Sequence, residues 1–348
     1  MSTRVVTFGE IMLRLKSPGA TRLLQTDTLE ATFGGAEANV ASSLALFGVD
    51  TSFVTALPNN AIGDACIQFL MGKGVDTRFI HRGGNRMGIY YLESGANQRP
   101  LNVIYDRSNS SIAAAVQDVF DWKQIFEGAD WFHITGITPA ISESAAELSL
   151  TAVKAAHEIG LTVSCDYNYR SKLWSYGKSA PEVMRQLVNY VDIGIGNVEN
   201  CQRALGISLD NDGWETDGLH GALHVDDYET LANKMFANFP NLKVQALTMR
   251  QIFDANHHKW SACLYNGSDF MVGKRYDISN IVDRVGSGDA FAAGLIYGIS
   301  TGMEEKDTLE FAIAASCLKH SISGDMNLVT IDEVMRLVRE DETSQKEG

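Results

Sequence analysis

Apolar positions along the chain follow two periods that take turns. Short runs rich in valine, isoleucine and phenylalanine at residues 4–8, 51–57, 131–134, 161–165, 191–195 and 244–248 read as strands, because continuous apolar stretches of this length suit strands buried on both faces. Between them, at 62–71, 142–158, 181–190, 198–205 and 227–239, apolar residues recur every three or four positions, as in helices with one buried face. The stretch after residue 35 is of the same kind: Val40, Leu44 and Phe47 share one face, and Gly48 stands where a helix stops. Further helices fall at 290–299, 307–320 and 331–339. Strands alternating with helices predict a mostly parallel sheet covered on both faces, with ligands at the carboxyl ends of its strands.

Two regions break the alternation. Residues 89–93 and 101–105 read as strands joined by a turn containing Gly95 and Pro100, a hairpin inserted into an α/β chain and expected to lie over the ligand edge as a lid. A strand at 11–15 carries Arg14 among apolar neighbours. Short strands also fall at 259–265 and 270–272. Residues 16–33 read as irregular, 208–224 as a polar surface excursion, and 341–348 as a charged, frayed tail. With no internal repeat and no low-complexity linker, the expectation is one domain over residues 1–340, with lid segments at about 11–33 and 84–112.

Composition narrows the class. Of 348 residues, 45% are hydrophobic and 21% charged, enough for a sizeable core. A net charge of −14 argues against nucleic acid or an anionic membrane as partner, since both call for a basic surface. Cys66, Cys165, Cys201, Cys263 and Cys317 are odd in number and form no C-x-x-C pair, so they read as reduced thiols of a cytoplasmic protein. The N-terminus enters a strand pattern with no signal-peptide core, and no apolar run approaches the about 20 residues of a membrane span.

The candidate chemistry lies in two glycine turns. The first, FGGAEAN at residues 33–39, sets Gly34 and Gly35 before a helix, with Asn39 one turn in. The second, DRVGSGD at 283–289, runs into an alanine- and leucine-rich helix. Gly286, Ser287 and Gly288 let the backbone approach a ligand, and the helix start offers unpaired N–H groups and a positive dipole end to an anion. Asp289 sits at the seam. It is either an N-cap or a base that takes a proton from a hydroxyl attacking a phosphate, and this motif alone leaves the two readings even. Arg107 follows a lid strand and Arg170 a core strand, and two guanidinium groups at the ligand edge of an acidic protein suggest an anionic substrate.

In order and separation these two turns resemble the ribokinase-like, PfkB-type carbohydrate kinases, and the resemblance covers nearly the whole chain. Within that family GEIMLR at 9–14, YDR at 105–107 and DYNYRSKLW at 166–174 are similar to the 2-keto-3-deoxygluconate kinases. The resemblance implies an α/β three-layer sandwich with a mostly parallel central sheet and a small β-sheet lid. It also implies ATP as donor, Mg²⁺ as cofactor, and transfer to the primary hydroxyl of a keto-deoxy sugar acid. Asp289 would be the base, with the amides of Gly286, Ser287 and Gly288 as the anion hole. The sugar acid would meet Gly34, Gly35, Asn39, Tyr90, Tyr105, Arg107, Arg170, Asp289 and Asp325. Asn168, Arg170, Asn197, Thr248, Arg250, Gly286 and Gly288 would face the nucleotide, and Glu199 the metal through water. The chain departs from the family pattern at Arg284, where a threonine is usual, and at Pro58, where a glycine is. A neutral-sugar kinase and a non-catalytic sensor on the same fold are the competing readings. The lid sheet is the expected surface for a homo-oligomer.

Overall fold

A computed structural model describes residues 3–209 and 224–346. The first half runs β1 (Arg4–Phe8), β2 (Met12–Lys16), β3 (Glu30–Gly34), α1 (Ala36–Leu46), β4 (Asp50–Leu57), α2 (Ala61–Met71), β5 (Ile80–Arg82), β6 (Ile89–Glu93), β7 (Asn102–Asp106), α3 (Trp122–Ile125), β8 (Trp131–Thr135), α4 (Glu143–Glu158) and β9 (Thr162–Asp166). The second half runs α5 (Ala180–Val188), β10 (Ile193–Gly196), α6 (Val198–Leu205), α7 (Val225–Asn238), β11 (Val244–Asp254), β12 (His257–Tyr265), β13 (Phe270–Val272), β14 (Tyr276–Ile278), α8 (Ser287–Thr301), α9 (Glu305–Lys319) and α10 (Ile331–Lys346).

The large sheet has the order β13-β12-β11-β10-β9-β8-β1-β4-β5, with β14 also paired to β12. From β11 through β5 its strands are parallel, and β12 runs antiparallel to β11, β13 and β14. Alternate side chains of each strand enter different cores. Val6 and Phe8 of β1 pack with Leu148 of α4, Leu187 of α5 and Leu231 of α7. Val5, between them, packs with Leu44 of α1, Phe291 of α8 and Phe311 of α9. This period of two explains why the strand sequences are continuously apolar, since both faces are covered. The result is the expected three-layer α/β sandwich.

A separate four-stranded sheet, in the order β3-β2-β6-β7, forms the lid. Here the sequence reading needs correction. Residues 16–33, read as irregular, contain β3, which pairs antiparallel with β2 from Met12–Gly34 to Lys16–Glu30. Its first three residues are exposed, so β3 lacks the apolar alternation that would mark it. Strand β11 runs on past Thr248 to Asp254 and turns back into β12, a long hairpin beside the cavity. The last helix, read over 331–339, extends to Lys346. Most of the expected surface excursion, residues 210–223, lies outside the described residues. No helix among the described residues is long and apolar enough to cross a membrane.

Helices α8 and α9 pack face to face behind the second glycine turn. A Cβ at Gly294 would stand 2.7 Å from Ala312 Cα, so the helices approach backbone to backbone there. Gly294→Val is expected to push them apart and lower unfolding free energy by about 1–3 kcal/mol, read as a fall in the urea midpoint with unchanged slope.

Candidate active site

The two glycine turns meet. Gly286 is the N-cap of α8 at φ 84°, a left-handed conformation that favours glycine, and no side chain caps the helix. Asp289 is therefore not the cap. It is the third residue of α8, buried, and Asn39 of α1 donates from Nδ2 to its Oδ2 at 2.6 Å. Asn39 Oδ1 in turn accepts from the N–H of Gly35 at 3.3 Å, so one amide joins the first turn to the second. Burial pushes the Asp289 carboxyl up to about 7, opposed by the Asn39 hydrogen bond, with Asp166 and Asp325 raising it and Arg170 lowering it. A carboxyl near 7 can both take and release a proton at neutral pH. Around it lies a cavity of about 940 Å³ whose wall includes Gly286, Ser287 and Gly288. A Cβ at Gly288 would meet nothing within 4 Å, so the first turn of α8 faces open space.

The lid side of the cavity is built on ion pairs that were not legible as such. Arg14, on β2, is buried and bridges the carboxylates of Asp283 and Asp325. Burial alone would lower its pKa, and the two acids raise it well above the usual arginine value. Tyr90 donates its hydroxyl to Asp325 Oδ1 at 2.6 Å. A Cβ at Gly34 would lie 2.1 Å from Asp325 Oδ2, so the first glycine turn is small in order to admit this carboxylate. Arg107 donates from Nε to Glu10 Oε2 at 2.7 Å, and Ser110 donates to the other oxygen of Glu10 at 2.5 Å. The Arg107 guanidinium also stands 5.5 Å from the centre of the Tyr105 ring. Arg107 is thus neutralised by Glu10 while it still lines the cavity.

On the opposite wall the expected nucleotide residues gather, several with structural duties. Asn168, at φ 30°, donates its N–H to Asp166 Oδ1 at 3.1 Å. Asp166 is buried on the cavity wall and is pushed up to about 6, burial outweighing the opposing charge of Arg170. Arg170 is exposed, and its Nη1 donates to the Tyr169 carbonyl at 2.9 Å. Asn197 caps α6 through Asn200, whose N–H it accepts at 2.8 Å. Thr248 donates its hydroxyl to the Gly196 carbonyl at 3.2 Å. Glu199, Arg250 and Arg284 line the same cavity. Among the described residues no group of three or more His, Cys, Asp or Glu could hold a metal. A lone carboxylate such as Glu199 suits a magnesium ion that keeps its waters and takes its other ligands from phosphate.

Glu37 in the first motif proves to be a strut. Its Oε1 accepts from the Thr135 N–H at 3.0 Å and from the hydroxyls of Thr135 and Thr138 at 2.8 Å each, tying α1 to the end of β8. Sequence reasoning brought the stretch from Asp166 to Arg170 to the ligand edge but assigned no site role to Glu10, Arg14 or Glu37. The available signal was a charge inside an apolar strand, as at Arg14.

The sequence matches the family model described as pfkB family carbohydrate kinase over residues 2–225 and 262–331. It is 31% identical over 339 residues to the 2-dehydro-3-deoxygalactonokinase of Haloferax volcanii, covering 97% of this chain and 98% of that one. It is 27% identical to the 2-dehydro-3-deoxygluconokinase of Bacillus subtilis, covering 94% and 92%. The solved structure of the 2-dehydro-3-deoxygluconokinase of Thermotoga maritima superposes with a TM-score of 0.90 at 45% identity, covering 97% and 99%.

Arg14→Met would leave two buried carboxylates without the guanidinium that pairs them directly. A loss of about 3–5 kcal/mol in unfolding free energy is expected by chemical denaturation.

Proposed function

The chain belongs to the pfkB family of carbohydrate kinases, and from that premise we propose that it transfers the γ-phosphoryl group of ATP to the primary hydroxyl of a keto-deoxy sugar acid, 2-keto-3-deoxygluconate, giving the 6-phosphate. The observation that carries the reading is Asp289, buried and held by Asn39 in the first turn of an uncapped helix, with Arg107 and Arg170 on the wall of the same cavity. Asp289 takes the proton of the attacking hydroxyl. The amides of Gly286, Ser287 and Gly288 and the α8 dipole stabilise the charge that gathers on the transferring phosphoryl oxygens. Asp325, fixed by Arg14 and Tyr90, and the backbone of Gly34 and Gly35 hold the sugar hydroxyls. Arg170 and Arg107, with Tyr105 beside it, orient the carboxylate. Asn168, Thr248 and Arg250 stand on the nucleotide side. Magnesium, when bound, neutralises phosphate oxygens, and Glu199 with Asn197 would hold its hydrated form. Self-association through the lid belongs to the same reading, since β3 and β7 are its edge strands and Ile104 on β7 is exposed.

A coupled assay of ADP release across keto-deoxygluconate, keto-deoxygalactonate, fructose and ribose tests the acceptor. The sugar acids are expected to give the larger kcat/KM, and a preference for a neutral sugar would overturn the assignment. Asp289→Asn keeps the shape and removes the base, so kcat is expected to fall by about 10²–10⁴-fold with ATP affinity retained.

The pH profile follows from the Asp289 carboxyl near 7. Only its deprotonated form accepts the hydroxyl proton, so kcat/KM should fall as pH drops through about 7. The Asn39 hydrogen bond favours the ionised form. Asn39→Ala therefore raises the pKa and moves that acid limb to higher pH, measurable as a shifted midpoint of kcat/KM against pH.

A further inference from the structure

Lys319, the last residue of α9, is fully buried and, among the described residues, has no carboxylate as a hydrogen-bond partner. Its Nζ donates to two backbone carbonyls, Ile322 at 2.9 Å and Asp283 at 3.3 Å. These belong to the two turns that meet under the start of α8. The same turns are joined by the His320 carbonyl, which accepts from Val282 N–H at 2.9 Å and Asp283 N–H at 3.3 Å, and by Gly324 N–H, which donates to Asp283 Oδ2 at 3.2 Å. A Cβ at Gly286 would lie 2.0 Å from the Asp325 carbonyl oxygen and 3.3 Å from Lys319 Cε, so the N-cap glycine rests directly on this assembly. Burial pulls the lysine pKa down, while the carboxylates of Asp283, Asp325 and Asp289 oppose that pull and Arg14 reinforces it.

A full ammonium charge aimed at carbonyl oxygens is a costly way to fill space. It is what a desolvated potassium or ammonium ion receives when carbonyls replace its water. The two carbonyls also set geometry. A planar trans peptide points its C=O and N–H in opposite directions, so drawing the Asp283 carbonyl onto Lys319 fixes which way the Arg284 N–H faces. The turn leading into Gly286 is thereby held in one shape.

We propose that Lys319 is a positioning residue, a built-in monovalent cation that holds the turns 283–286 and 320–325 together so that the amides of Gly286–Gly288 face the transferring phosphoryl group, with no ion recruited from solvent. The proposal rests on the phosphoryl-transfer reading above, but not on which sugar is the acceptor.

The test uses the full chain in buffers whose only monovalent cation is tetramethylammonium, too large for the site. Lys319→Ala is expected to lose about 10–100-fold in kcat, the size of a weakened anion hole, with a smaller change in KM for the sugar. Added ammonium or potassium should recover at least part of that kcat, and wild-type turnover should be indifferent to the same additions. Wild-type kcat in the variant, or a loss that neither ion recovers in a folded variant, would overturn the proposal. So would several-fold activation of the wild-type enzyme by potassium, a measurement that needs no variant. If the variant folds only when ammonium or potassium is present, its melting curve carries the same support. If the wild-type chain phosphorylates no sugar at all, the kinase reading fails, and ion-dependent melting of Lys319→Ala still reports whether Lys319 fills a cation site.

Discussion

The site hangs on a buried arginine. Arg14 rises from the lid strand β2 and grips Asp283, which opens the second glycine turn, and Asp325, which closes over the first. Buried ion pairs often return no more than the desolvation they cost. Their value here is geometric. Asp283 and Asp325 lie far apart in sequence and on different turns, and a guanidinium fork accepts both only in one arrangement. Tyr90, from the neighbouring lid strand β6, reaches the same Asp325 oxygen. Lid, glycine turns and the start of α8 are thus fixed by one polar node, and the cavity takes its shape from that node.

That node also answers an electrostatic difficulty. A chain of net charge −14 binds anions, and the cavity wall itself carries Glu10, Asp166, Glu199, Asp227, Asp289 and Asp325. Four of these six acids do not act as free negative charges. Glu10 is spent on Arg107, Asp283 and Asp325 on Arg14, and burial pushes Asp166 and Asp289 toward neutrality. Against these stand the positive end of α8 and three further arginines on the wall, Arg170, Arg250 and Arg284. Local pairing, rather than net charge, decides what the cavity attracts.

The layered fold was readable in the sequence because hydrophobic period reports burial, and both glycine turns were readable because sterics restrict what can stand there. Less visible were features that depend on distant partners. Strand β3 is an exposed edge with no alternation to betray it. The glycines of β10 imitate the start of a dinucleotide fingerprint, yet a Cβ at Gly194 would fall 1.9 Å from the Tyr167 hydroxyl, so that glycine makes room for a neighbouring ring. Arg107 was legible as an arginine at the ligand edge, but its partner Glu10 lies in another strand turn. Asp289 could be a cap or a base on local sequence. The choice falls against the cap only because Gly286 occupies that position and Asn39, from a remote helix, holds the carboxylate.

Water competes with any sugar hydroxyl for a phosphoryl group, so the proposed reaction calls for a roof over Asp289. The roof reaches across the cavity. In the turn between β6 and β7 the Asn97 carbonyl accepts the Ala255 N–H at 2.9 Å, and Ala255 sits at the tip of the β11–β12 hairpin. That contact explains why β11 continues beyond Thr248, where a strand serving only the central sheet would end. The added length carries the hairpin out to meet the lid. A single backbone hydrogen bond is worth about 1 kcal/mol, so this tip contact is weak beside the ion pairs at the other end of the lid. The stronger bonds lie there, where Arg14 of β2 and Tyr90 of β6 both reach Asp325.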